Sequence, residues 1–149
     1  MSAPHLGKPL MFASAEECER SFYEAMDAAD IEAMAELWLD DDDVCCIHPN
    51  GPRLVGYAAV KASWHAILSN GPVHLRVAAR KSLDTPTVVT SNVVEETTVA
   101  RGRDQQVVHV IATNVMVKTN AGWKLVLHHA SPAPAGQVVD VEAPQGPLH

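Results

Sequence analysis

Apolar residues recur at helical spacing in three stretches of the first half of the chain and alternate with polar ones through the second half. Ser14 and Glu17 form an S-x-x-E capping pair, and Cys18, Phe22, Ala25, Met26 and Ala29 follow on one helical face, which predicts a helix over about 15–28. Asp30 can cap a second, short helix with the apolar face Ile31, Met34, Leu37 and Trp38, and the run Asp40 to Asp43 ends it. Val44 to His48 reads as a short strand closed by Pro49-Asn50-Gly51-Pro52, a dense turn signal. Gly56 then opens a third helix carrying Val60, Trp64, Ile67 and Leu68, and Asn70-Gly71-Pro72 stops it.

Everything after Pro72 reads as strand. Val73, Leu75, Val77 and Ala79 alternate with polar residues, and β-branched residues dominate the stretches around 87–100 and 106–119. Turns near 83–86, 102–105 and 120–122 separate four successive antiparallel strands, the last from Trp123 to about Ser131. Helix, helix, strand, helix and a four-stranded meander make an α+β pattern in which the helices cover one sheet face. Residues 1–13 and 132–149 carry no periodic pattern and are predicted to be mobile tails around one domain, 14–131.

Composition narrows the function classes. A length of 149 residues suits one core, and no apolar run approaches the roughly 18–20 residues needed to cross a bilayer. The first fifteen residues lack a continuous apolar leader, so a soluble, cytoplasmic protein is expected. Eighteen acidic against eleven basic residues give a formal charge of −7, and the cations are scattered, which argues against nucleic acid as a partner. Three cysteines, two of them the neighbours Cys45 and Cys46, point to reduced thiols. The four consecutive aspartates lack the Gly and the alternating ligand spacing of a calcium loop and read as a solvated turn. With no Gly-rich phosphate loop, G-x-S-x-G elbow or H-E-x-x-H, no cofactor or metal is expected.

The stretch FYEAMDAADIEAMAELWLDDDDVCCIHPNGPRLVGYAAVKASW, followed by ATNVMVKTNAGWKLVLHHASP, resembles the SnoaL-like branch of the NTF2-like superfamily over about residues 14–131. That resemblance implies a cystatin-like cone, with about three N-terminal helices packed on a strongly curved antiparallel sheet around one pocket. It also implies a homodimer formed through the outer sheet face. Its members include ketosteroid isomerases, cyclases, epoxide hydrolases, dehydratases and non-catalytic association domains, so the resemblance does not select a reaction. In the isomerases a helix tyrosine, a carboxylate before proline and a protonated aspartate share the chemistry. The matching positions here are Phe22, His48 and either Asn114 or Val115, and Phe22 has no hydroxyl to donate. Tyr23 would point about 100° further round the helix, so steroid isomerisation by that mechanism is not expected.

His48 ends the short strand before a rigid turn, where the resemblance places a base, and its imidazole could carry a proton near neutral pH. The competing reading is a histidine that locks the turn through a backbone hydrogen bond. If Asn120-Ala121-Gly122 is a three-residue loop, Asn114 faces His128 and Thr113 faces His129 across the last hairpin. Strict alternation puts His129 and Thr113 on the face of Val115, Val117, Leu125 and Leu127, the expected inner face. Asn114 and His128 then fall on the outer, dimer face. One bulge or a two-residue loop exchanges the faces.

Phe22, Tyr23, Trp38, Trp64, Thr113 and Met116 are the expected pocket lining, with a plain core role for the aromatic residues as the alternative. Glu95 and Glu96 occupy opposite strand faces, and the sequence does not choose between them. A zinc reading from Cys46, His48 and His129 has suitable residue types but no spacing motif. The sequence thus points to a small, largely apolar ligand, with cofactor-free acid/base chemistry at His48 and His129 as one form. A filled, non-catalytic association domain is the other.

Overall fold

A computed structural model describes residues 11–134 and 138–143. The mobility expected of residues 1–10, 135–137 and 144–149 lies outside the described residues. The chain runs α1 (Ala15–Ala28), α2 (Ile31–Leu37), β1 (Cys45–Ile47), β2 (Arg53–Val55), α3 (Tyr57–Ser69), β3 (Arg76–Asp84), β4 (Val88–Arg101), β5 (Asp104–Thr119) and β6 (Gly122–Pro132). The predicted caps form. The Ser14 hydroxyl accepts from the Glu17 N–H at 3.0 Å, and the Asp30 carboxylate accepts from the Ala33 N–H at 3.0 Å.

The sheet corrects one expectation. It is an open, mixed sheet of six strands in the order β2-β1-β6-β5-β4-β3, rather than a closed or strongly curved antiparallel cone. The physical reason lies in residues 45–55: β1 adds to β6 in parallel and β2 then pairs antiparallel with β1, so the two short strands extend the sheet and leave free edges. Strand β2 follows Pro52 and spans only three residues, too few to show a period beside so strong a turn signal.

All three helices bury apolar residues in one core with the inner sheet face. Phe22, Met34, Leu37, Trp38, Val60 and Trp64 meet Val89, Met116 and Leu125, all at most 6% exposed. Phe22 is the hub, with its ring edge-on to Tyr23, Trp38, Trp64 and His128. The domain reaches past both expected tail boundaries. Phe12 is buried and its carbonyl accepts from the Trp123 N–H at 3.0 Å, while Ala133 is buried and donates to the His109 carbonyl at 3.0 Å.

The last hairpin exchanges the faces expected of its histidines. Thr119 pairs with Gly122 across a two-residue turn, and a bulge between Val115 and Met116 leaves Val126 unmatched. Leu125 and Met116 face inward, and the bulge then shifts the alternation so that His128 rather than His129 follows them. Asn114 and His128 are buried beneath α1, not on the outer face, and His129 is exposed. Thr113 lies on the outer face with Asn92, whose amide donates to its hydroxyl at 3.1 Å.

Candidate functional site

Glu19 and Tyr23 sit one helical turn apart on the face of α1 that packs on the sheet, opposite Ser91 and Glu95 of β4, Asn114 of β5 and His128 of β6. Arg80 of β3 closes the group from the edge. Their side chains form one connected network. Arg80 Nε donates to Glu19 Oε1 at 2.7 Å, and the Ser91 hydroxyl donates to the same oxygen at 3.0 Å. Asn114 Nδ2 donates to Glu19 Oε2 at 2.8 Å and to the Tyr23 hydroxyl at 3.0 Å. The Tyr23 hydroxyl donates to Glu95 Oε2 at 2.7 Å, and His128 Nδ1 lies 2.6 Å from Asn114 Oδ1. Each buried polar side chain of this network therefore has a partner, as so low a dielectric demands, whereas the neighbouring Trp38 and Trp64 indole N–H groups have none among the described residues.

Beside this network is a cavity of about 270 Å³ between the end of α1, α3 and the sheet. Its apolar wall comes from Met26, Trp64, Ile67, Val73, Leu75, Val110 and Ala130, and its polar wall from His48, Glu95, Thr97 and His128. A wider groove of about 620 Å³ runs outside, between α1 and β3, rimmed by Glu16, Arg20, Glu24 and Asp27. Tyr23 and Leu75 line the groove, and Leu75 lines the cavity as well. The groove also touches Glu19, Tyr23 and Arg80 of the network but is open and ringed by solvated charges, whereas the cavity sets Glu95 and His128 in a mostly apolar wall. The cavity is therefore the candidate site.

Burial sets the protonation states there. It pushes the Glu95 carboxyl above its ordinary value, against the hydrogen bond from Tyr23, and raises Tyr23 further, with help from the Glu95 charge. It drives the His128 ring down to about 3, with His48 and His129 adding in the same direction, and lowers His48 too. At neutral pH both rings are uncharged. A carboxyl with a raised affinity for its proton can exchange that proton with a bound molecule, and a neutral imidazole can hydrogen-bond the same molecule. His48 Nε2 lies 2.7 Å from the Ser63 hydroxyl on α3, and its ring meets Trp64 edge-on at 4.9 Å.

Of the residues singled out from the sequence, His48 and Trp64 line the cavity. Phe22, Trp38 and Met116 are buried in the core, and Tyr23 reaches the network from the groove side. His129 and Thr113 lie away from it on the outer face. Cys46 is within 3.8 Å of His48, but His129 pairs beside Ile47 and is exposed, so the three zinc candidates do not converge. Burial pushes the Cys46 thiol up to about 12, the state of an inert core cysteine. Glu19, Arg80, Ser91 and Glu95 were not foreseen as a unit. The available signals were Glu19 at i, i+3 and i, i+4 from Phe22 and Tyr23, and Ser91 and Glu95 in step with Val89 and Val93.

Residues 15–136 match the family model described as SnoaL-like domain. A structure from Thiobacillus denitrificans is 35% identical, with a TM-score of 0.75, and covers 84% of this chain and 99% of its own. It was solved under the name of a calcium/calmodulin-dependent protein kinase type II association domain. A second, from Streptomyces avermitilis and named a dehydratase of the NTF2-like family, is 30% identical over 78% of this chain and 92% of its own, with a TM-score of 0.69. Both names are themselves provisional assignments. A ketosteroid isomerase-like protein from Erwinia carotovora shares the fold at 14% identity, covering 80% of this chain and 94% of its own at a TM-score of 0.66. None of the curated proteins matches the sequence. Fold, matched span and identity agree, and the chain belongs to the SnoaL-like domain family of the NTF2-like superfamily.

Proposed function

We propose that the protein binds a small, largely apolar molecule in the cavity between α1, α3 and the sheet. Glu95 there supports cofactor-free proton transfer of the isomerase, cyclase or dehydratase kind, with the neutral His128 ring as a hydrogen-bonding partner for the bound molecule. The observation that carries this reading is the pairing of two hydrogen-bonded, buried titratable groups with an otherwise apolar wall. An apolar wall alone is ordinary core packing; Glu95 and His128 add to it titratable groups that open onto the cavity while their other atoms are held by the network. The dehydratase name of the 30% identical relative is in keeping with this chemistry. Native mass spectrometry of gently purified protein tests the binding reading: a retained small molecule, lost in Ile67→Trp, supports it. Bare chain masses alone, after incubation with an excess of small apolar carbonyl compounds and alcohols, count against it.

The name of the 35% identical relative favours a second reading, association. The outer face of β5 and β6 presents the half-buried Ile111, Val115, Val117 and Leu127, a strip suited to a second copy of the chain. In this reading the product of the fold is the dimer itself, and sedimentation at micromolar concentration checks it. Binding and dimerisation are compatible, since they use opposite faces of the sheet.

A further inference from the structure

Glu19 Oε2 is a carboxylate oxygen and can only accept, so the Asn114 side-chain atom facing it at 2.8 Å is the NH2 group. The same NH2 donates to the Tyr23 hydroxyl, whose own proton goes to Glu95. That leaves the Asn114 carbonyl oxygen pointing at His128 Nδ1, 2.6 Å away. An oxygen with no proton requires a donor opposite it. His128 therefore carries its proton on Nδ1, and Nε2 is left with a bare lone pair. The Thr97 hydroxyl on the same wall donates to the His74 carbonyl at 2.9 Å, and Glu95 accepts a hydrogen bond from the Tyr23 hydroxyl.

We infer that Glu19, held by Arg80, fixes the His128 tautomer through Asn114 and so makes this side of the cavity a hydrogen-bond acceptor, selecting neutral apolar molecules that carry a hydroxyl group. Glu19 is a positioning residue. It does not line the cavity but determines which ring nitrogen His128 offers there. An alcohol, phenol or enol can donate to Nε2, whereas the corresponding ether presents only lone pairs and leaves Nε2 unsatisfied. A carboxylate ligand would meet the lone pairs of His128 Nε2 and Thr97 with nothing to donate. This inference rests on the proposed ligand cavity for its choice of molecule, but the tautomer itself does not depend on any ligand.

The variant Glu19→Gln should reverse the chain of donors. Arg80 Nε and the Ser91 hydroxyl both donate to Oε1, so they hold the carbonyl oxygen of the new amide and turn its NH2 toward Asn114. Asn114 must then present its own oxygen to that NH2 and its NH2 to His128, and the Tyr23 hydroxyl turns its proton to the Asn114 oxygen and accepts instead from Glu95 in its protonated form. The proton moves from Nδ1 to Nε2.

Nitrogen-15 NMR of the His128 ring in ligand-free protein reads this directly. The expected result is Nδ1 protonated and Nε2 bare in the wild type, with the pattern reversed in Glu19→Gln. A wild-type ring protonated on Nε2 overturns the inference, and so does a tautomer unchanged by the substitution. In a second arm, 2-naphthol should bind the wild type roughly tenfold more tightly than 2-methoxynaphthalene. Glu19→Gln should erase that preference. Equal binding of both by the wild type overturns the ligand selection. If neither binds while the tautomer is as expected, the cavity reading itself has failed and the selection falls with it; a wrong tautomer with naphthol bound overturns this inference alone.

Discussion

Asn114 and His128 face one another across the β5–β6 pair, and their side chains meet at 2.6 Å between Oδ1 and Nδ1. Asn114 is fully buried and His128 is 3% exposed. The contact joins the polar network under α1 to the wall of the cavity. Stability, protonation and the proposed ligand choice therefore depend on the same few side chains.

Asn114→Leu should show this in stability. It leaves Glu19 Oε2 and His128 Nδ1 buried without that partner, each costing about 1–3 kcal/mol, and more for the carboxylate. A loss of roughly 3–5 kcal/mol in urea denaturation is expected. A loss below about 1 kcal/mol would mean that water takes over the bonds.

Arg80 is one-third exposed, but the Glu19 it holds is only 6% exposed at the side chain. Removing a single partner strands a buried charge, so Arg80→Met should cost roughly 2–4 kcal/mol. The double variant Glu19→Met, Arg80→Met should recover part of it, because no uncompensated charge remains although Ser91 and Asn114 lose their acceptor. Additive losses in the double-mutant cycle would show that the pair is not coupled.

The acid side of the stability profile should depend on His128. Burial holds its folded value down to about 3, below the ordinary 6.5. Unfolding therefore takes up a proton between these values. The contribution is fully present above about pH 6.5 and is lost as pH falls toward 3, by at most ~1.4 kcal/mol per pH unit. Glu95 has the opposite sign: its raised value gives a contribution present below 4.5 and lost as pH rises through the raised folded value. Denaturation midpoints of wild type and His128→Gln should converge between about pH 7.5 and about pH 4.5. Parallel curves would show that the ring is not held neutral.

The turn at Gly122 offers a test outside the site. Its φ of +87° suits glycine, and a Cβ there would lie 2.8 Å from both the backbone nitrogen and the carbonyl oxygen of Phe12. Gly122→Ala should cost roughly 1–3 kcal/mol and loosen the segment around Phe12, read as faster amide exchange at Trp123. Unchanged exchange at Trp123 would show that the segment does not depend on this close approach.

The helices and the long strands were legible because each spans enough residues for its period to appear, and the Ser14 and Asp30 caps mark two of the helix starts. What escaped was set by long-range pairing. The parallel join of β1 to β6, which opens and mixes the sheet, leaves no mark within either segment. The face of His128 depended on the unmatched Val126, and a bulge has no signature in an unbroken apolar run such as Leu125-Val126-Leu127, where any of the three could be the extra residue. Glu19 carries no local sign of its role because its partners, Arg80, Ser91 and Asn114, lie 61, 72 and 95 positions away. His48 and Trp64 could be placed near the cavity from local pattern and family resemblance together.

Methyl-resolved NMR during titration with naphthalene tests the central claim most directly. A ligand cavity between α1, α3 and the sheet predicts saturable shifts at Ile67, Val73 and Val110, which line it, and none at Val77, which lines the outer groove. Shifts confined to Val77, or the absence of saturable shifts at the three cavity methyl groups, would contradict it.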